Sequence, residues 1–165
     1  MNVPRRGYFE TTIVSLAMLP GSICAVLLCD VSYIDHKGRR HAAMRGMLTD
    51  GMSVPRFFWR IIGAPIRNPY LLACIIHDHY CYKSACLQPG PTRDKLRLQG
   101  DLLFAEMCQV LGAGSSKCQL LYRAVRIGAT ASRNTPAQPD YEHQPEKHAK
   151  TLGVPYGLVL QALSA

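Results

Sequence analysis

Asn68-Pro69-Tyr70-Leu71-Leu72-Ala73-Cys74-Ile75-Ile76-His77-Asp78-His79-Tyr80-Cys81-Tyr82 is the stretch on which the reading of this chain turns. Asn serves well as a helix N-cap and Pro suits the first helical position, so the pattern predicts a helix from Tyr70 to about Tyr82. With 3.6 residues per turn, neighbouring side chains point about 100° apart. His77 and Asp78 therefore cannot serve one partner: one faces a neighbouring helix, the other a loop or an ion. Cys74 and Cys81, at i−3 and i+4, share the face of His77.

Downstream, Cys86 to Pro91 reads as a loop containing Pro-Gly-Pro. A second helix is expected from Thr92, its N-cap, to about Leu111. After so short a loop it should pack antiparallel to the first. Asp101 lies on it, in the mostly apolar run Asp101-Leu102-Leu103-Phe104-Ala105-Glu106-Met107-Cys108. A carboxylate there is costly to bury unless paired, and His77 is the natural partner. Arg97, one turn earlier, competes for the same acid. Gly112-Ala113-Gly114 ends the helix, and Ser115-Ser116 start a third, to about Ile127.

Upstream, Thr12 to Leu19 and Ile23 to Tyr33 are rich in Val, Ile, Leu and Cys, with Pro20-Gly21-Ser22 between them. They read as strand, turn, strand. Asp35-His36-Lys37-Gly38 is a second turn, and Arg39 to Met47 returns as a third strand. Leu48 to Pro55 is a loop by composition, and within its Thr49-Asp50-Gly51-Met52-Ser53-Val54-Pro55 Asp50 and Ser53 can bind an ion or satisfy backbone donors. Phe57-Phe58-Trp59 suits a core or an acyl pocket. The class is α+β: a small N-terminal antiparallel sheet, an antiparallel helix pair, a third helix and a polar C-terminal tail. Residues 1–129 are expected as a single domain. Residues 130–165 are expected as a polar tail with a short helix near Tyr156 to Leu163.

These residues suggest a concrete chemistry. Asp101 would accept a hydrogen bond from one ring nitrogen of His77 and steady the imidazolium formed when the other takes a proton from water. Asp78 would point to a hard cation, with Asp50 and Gly51 completing the shell. Calcium tolerates such carboxylate and carbonyl donors. Ser53, Tyr80, Tyr82 and Arg97 are supporting candidates. Zinc is the alternative ion, on a face of Cys74, His77 and Cys81 with Cys108 opposite, although no CxxC pair accompanies it. A metal phosphohydrolase reading would need His36 or His41 as an upstream ligand, and both fall in the strand-forming part.

From Thr49 to Gly128 the chain resembles the phage- and prophage-encoded domain-of-unknown-function family 1353. The shared pattern is Thr-Asp-x-x-Ser-Val-Pro, an aromatic segment, His-Asp, an Asp on the next helix, and Tyr122-x-Ala-Val-Arg126. That resemblance implies a phage context. Asp50-Gly51-Met52-Ser53, Cys74-Ile75-Ile76-His77-Asp78 and Asp101-Leu102-Leu103-Phe104 also resemble, more distantly, the phospholipase A2 core of bacteria and fungi. This second resemblance implies His77 as general base, Asp78 as calcium ligand and Asp101 as orienting carboxylate. Cys81 stands where that family has Tyr, and Met52 replaces its calcium-loop cysteine. The function expected is a calcium-assisted hydrolase acting on phospholipid or another anionic ester. The alternative is a non-catalytic phage particle or assembly protein, contacting other phage structural proteins.

Bulk properties frame these readings. The chain has 165 residues, 48% apolar and 18% charged, which is globular composition. A formal charge of +8 favours an anionic partner. The arginines are scattered, however, and no basic run marks a nucleic-acid patch. Seven cysteines at irregular spacing do not read as a secreted disulfide framework. Arg5-Arg6 before two apolar stretches mimics a signal peptide, but Glu10 and Pro20-Gly21-Ser22 favour strands. Host cytoplasm or a phage particle is the expected location, with secretion less favoured.

Overall fold

The computed structural model describes residues 6–50 and 68–165. Six short strands come first: β1 (Tyr8–Phe9), β2 (Leu16–Met18), β3 (Ala25–Leu27), β4 (Val31–Ile34), β5 (Arg40–Ala43) and β6 (Leu48–Thr49). The helices α1 (Leu71–Ala85), α2 (Pro91–Val110), α3 (Ser115–Ala131), α4 (Pro145–Thr151) and α5 (Tyr156–Ser164) follow. The α+β class expected from the sequence is the one observed.

The strands form two antiparallel three-stranded sheets, ordered β1-β4-β5 and β2-β3-β6. The sequence had suggested one sheet with a continuous strand from Ile23 to Tyr33. Instead the chain leaves the first partner after Leu27 and enters the other sheet at Val31. Local bonds make the crossing: Leu28 N–H donates to Ser15 O, and Asp30 Oδ1 accepts from Arg45 N–H at 2.8 Å. All of β3 is buried, and its unbroken apolar run masks this break. The two expected turns are present. Gly21 and Gly38 take φ of 71° and 79°, left-handed values that glycine adopts without strain. Asp35 Oδ1 closes the second turn by accepting from the N–H groups of Lys37 and Arg39.

The first helix begins at Leu71, with Tyr70 rather than Asn68 as its N-cap; Asn68 Oδ1 accepts from Tyr70 N–H at 2.8 Å in the turn that leads into it. The second begins two residues earlier than expected, at Pro91 with Gly90 rather than Thr92 as N-cap, because Pro occupies the first turn and needs no N–H partner there. Helices α1 and α2 run antiparallel. Tyr80 lies against Gly100, His77 against Asp101 and Phe104, and the Cys74 thiol lies toward that of Cys108. Gly100 makes this close approach feasible, since a Cβ there would collide with the Tyr80 side chain.

One core joins β3, β4 and β5 to the helices through Leu27, Val31, Ile75, Phe104, Leu121 and Val125. A second core forms where Ala149, Val154 and Val159 cover Leu19, Val26 and Leu48. The segment read as a polar tail thus holds α4 and α5 and packs on the sheet β2-β3-β6. Its polar composition conceals the few apolar positions that dock. No helix among the described residues is long and apolar enough to cross a membrane.

Candidate active site

The antiparallel register of α1 and α2 brings His77 to Asp101. His77 Nε2 lies 2.7 Å from Asp101 Oδ1. The second carboxylate oxygen accepts from Arg126 Nη1 at 2.7 Å, and Arg97 Nε stands 3.4 Å from Oδ1. His77 is 2% exposed, and Asp78 and Asp101 are fully buried. Burial works to raise the Asp101 pKa, but the hydrogen bond from His77 and the adjacent cations outweigh it and hold the carboxyl below its ordinary range. For His77 burial prevails over the pull of Asp101 and keeps the imidazole below its usual pKa. The pair is therefore a neutral imidazole against a carboxylate at neutral pH.

With Nε2 on Asp101, Nδ1 is the nitrogen left for chemistry. Cys81 Sγ lies 3.5 Å from Nδ1 and 3.8 Å from Nε2. Such nearly equal distances put the sulfur beside the ring rather than on the lone-pair axis of Nδ1. Among the described residues Cys81 is the only hydrogen-bonding contact of that nitrogen. Phe104 packs against the ring at 5.0 Å between centroids and fixes its plane.

Asp78 points elsewhere, as the helical geometry requires. Its Oδ2 accepts from Thr49 Oγ1 at 2.6 Å, because β6 pairs with β3 in the register Ala25↔Thr49 and delivers Thr49 to α1. Asp50 follows directly. Burial first, then the charges of Asp78 and Asp50, raises the pKa of the Cys74 thiol and the Tyr82 phenol. Cys24 is raised as well, chiefly by burial and further by both acids. Both carboxylates thus lie within electrostatic range of Cys24, Cys74 and Tyr82. His77, Asp78 and Cys81 also offer one donor atom each, all within 4.8 Å of one another, a nitrogen–oxygen–sulfur set that zinc accepts. In that set Asp78 stands where the sequence had suggested Cys74, which instead lies toward Cys108.

Gly51 and Ser53, expected at the cation, lie outside the described residues, as does Phe57-Phe58-Trp59. Tyr80 does not join the dyad. Its hydroxyl lies 2.7 Å from His41 Nδ1, and His41 Nε2 lies 3.1 Å from Asp35 Oδ2, forming a separate buried chain of polar groups. The Tyr82 ring packs on His148. Arg97 is at the dyad, as expected. Arg126 and Thr49 were missed as partners. Arg126 closes the Tyr122-x-Ala-Val-Arg126 motif, and a conspicuous cation on the third helix facing a buried acid was the signal available. A cavity of about 180 Å³ is lined by Cys81, Tyr82 and Arg97 among others, neighbours of the dyad, but not by His77 or Asp101 themselves.

Comparison with known proteins adds the family. A family model described as "Protein of unknown function (DUF1353)" matches residues 25–125. The chain is 42% identical over 55 residues to "Uncharacterized protein y4jT" of Sinorhizobium fredii (strain NBRC 101917 / NGR234), a match covering 33% of this chain and 16% of that protein. It is 34% identical over 67 residues to "Uncharacterized protein y4iH" of the same organism, covering 40% of this chain and 28% of that one. The matched stretches thus span well under a third of these curated relatives. No solved structure matches. The family match runs from β3 into α3 and so takes in the scaffold that carries Thr49, His77, Asp78 and Asp101: the chain belongs to the DUF1353 family.

Proposed function

We propose that this protein is a phage- or prophage-encoded ester hydrolase with phospholipase A2-like chemistry, assisted by a cation, and that phospholipid or another anionic ester is its substrate. The observation that carries this reading is the 2.7 Å contact of His77 Nε2 with Asp101, which leaves Nδ1 as the available base. Asp101 fixes the tautomer, since a carboxylate accepts and Nε2–H donates. Nδ1 takes a proton from water as that water attacks the ester carbonyl. The imidazolium formed is stabilised by Asp101, and it returns its proton to the departing alcohol. Arg126 and Arg97 hold the carboxylate against rotation. Asp78 and Asp50 would hold the cation, with calcium the ion of choice for oxygen donors. When bound, it supplies charge to polarise the carbonyl.

The test is ester release from phospholipid vesicles with calcium, zinc or chelator, by wild type and His77→Gln. A lost general base lowers the rate by roughly 10²–10⁴-fold. Equal rates in both proteins, or no release with either metal, would count against hydrolysis.

A second reading has its own support in the near-complete burial of His77 and in the way Asp101 links α1, α2 and α3. Here the cluster holds the fold of a phage particle or assembly protein. Stoichiometric presence in purified particles together with an inactive wild type would favour it. Host cytoplasm or the particle is the location that either reading proposes.

A further inference from the structure

Arg97 is placed as few arginines are. Its side chain is 15% exposed, its Nε is buried without a hydrogen-bond partner, and its one close charge, Asp101, is 3.4 Å away and already bonded to His77 and Arg126. A guanidinium carries five N–H donors in a rigid fork. Among the described residues no acceptor is hydrogen-bonded to any of them. Nε alone is buried without a partner, and the remaining N–H groups of the fork are left to meet an anion that arrives from outside.

Room for one exists. Arg97 lies between two hollows, the 180 Å³ cavity beside Cys81 and a second of about 330 Å³ between α2 and α3. The second is lined by Lys95, Arg97, Arg126 and Arg133, with Asp94 as the acid among its lining residues. Asp94 is paired with Arg133, and Asp101 with Arg126 and, at 3.4 Å, with Arg97, so four cations face only two carboxylates. Thr130 adds a hydroxyl to the wall. Four cations around a pocket of this size, one presenting an unused fork, match the charge and the bidentate geometry of a phosphate group.

We propose that the cleft between α2 and α3 binds a phosphate group, seated on the Arg97 guanidinium and on Lys95, with Arg126 and Arg133 at its rim. Asp101 is then held between His77 on one side and the arginines of the anion site on the other. The inference stands whether or not the dyad is catalytic. Free phosphate and the phosphate of a lipid headgroup share the chemistry, and the experiment separates them.

The full-length protein is titrated calorimetrically with inorganic phosphate and, separately, with a short-chain phosphatidylglycerol below its micelle concentration. Saturable binding of either probe, weakened at least about tenfold by Arg97→Gln and by a smaller factor in Arg97→Lys, is the expected result. The smaller loss reflects a kept charge and a lost fork. Binding of the lipid alone assigns a headgroup, and binding of inorganic phosphate assigns a free anion. Arg40→Gln, on the distant strand β5, should bind as wild type does. Thermal unfolding of each variant confirms that it is folded. No saturable binding of either probe, or equal binding by folded Arg97→Gln, overturns the proposal.

Discussion

Replacing Asp101 by Asn tests whether the acid is the keystone that its contacts imply. The wild-type carboxylate is fully buried, accepts from His77 and Arg126 at 2.7 Å each, and lies 3.4 Å from Arg97. Removing one partner of a buried ionic cluster costs about 3–5 kcal/mol, because the remaining charges stay desolvated. Two features reduce that figure here. Asn keeps one carbonyl acceptor, and Arg126, whose side chain is 35% exposed, can turn toward water. A loss of about 2–3 kcal/mol remains, or about 5–10 °C in Tm for a chain of this size. Urea unfolding at pH 7, followed by circular dichroism and checked by calorimetry, measures it. A double-mutant cycle with Arg126→Gln isolates the contact and should show coupling of about 1–2 kcal/mol. A variant within about 0.5 kcal/mol of wild type, or a cycle without coupling, would refute the claim that this acid ties α1, α2 and α3 together.

Two further outcomes follow from individual residues. Burial pushes the pKa of His79 down to about 4, while its Nδ1 lies 2.8 Å from the Tyr141 hydroxyl. A depressed imidazole binds its proton more readily in the unfolded chain. Its contribution is therefore complete above about pH 6.5 and is lost as pH falls toward about 4, at most on the order of 3 kcal/mol. Unfolding midpoints across that range should decline, and His79→Gln should flatten the decline; parallel curves for both proteins would argue against it. Gly100→Ala places a methyl against Tyr80 where the two helices cross. Helix propensity alone favours Ala by about 1 kcal/mol, whereas overpacking costs about 1–3 kcal/mol, so calorimetry should show a lower Tm. A raised Tm would mean that the helices separate without penalty.

Local signals carried much of this architecture. Asn68-Pro69 announced α1, and Gly112-Ala113-Gly114 with Ser115 separated α2 from α3. His77 and Asp78 take different hydrogen-bond partners, as their angular spacing suggested, although each also offers a donor atom to a single ion. An acid in the apolar part of α2 was enough to name its imidazole partner. Such features were legible because each depends on residues within a turn or two of one another.

Other features depend on residues far apart in the chain. Asp30 interrupts the apolar run of Cys24 to Tyr33, but nothing local says that the part before it pairs with β2 and β6 and the part after it with β1 and β4. Arg126 reaches Asp101 across 25 positions, and Tyr80 turns to His41 across 39, so composition could not separate the dyad from its neighbours. The segment after residue 130 looked like a surface tail because three buried apolar side chains among many polar ones are invisible until there is a sheet to cover. By itself the sequence determined that α1, α2, α3 and α5 become helices, though not α4, and which two side chains meet across the first pair. Tertiary packing alone decided how the strands divide between sheets, which cations surround the buried acid, and where the C-terminal helices rest, because those choices are made by surfaces that exist only once the chain has closed on itself.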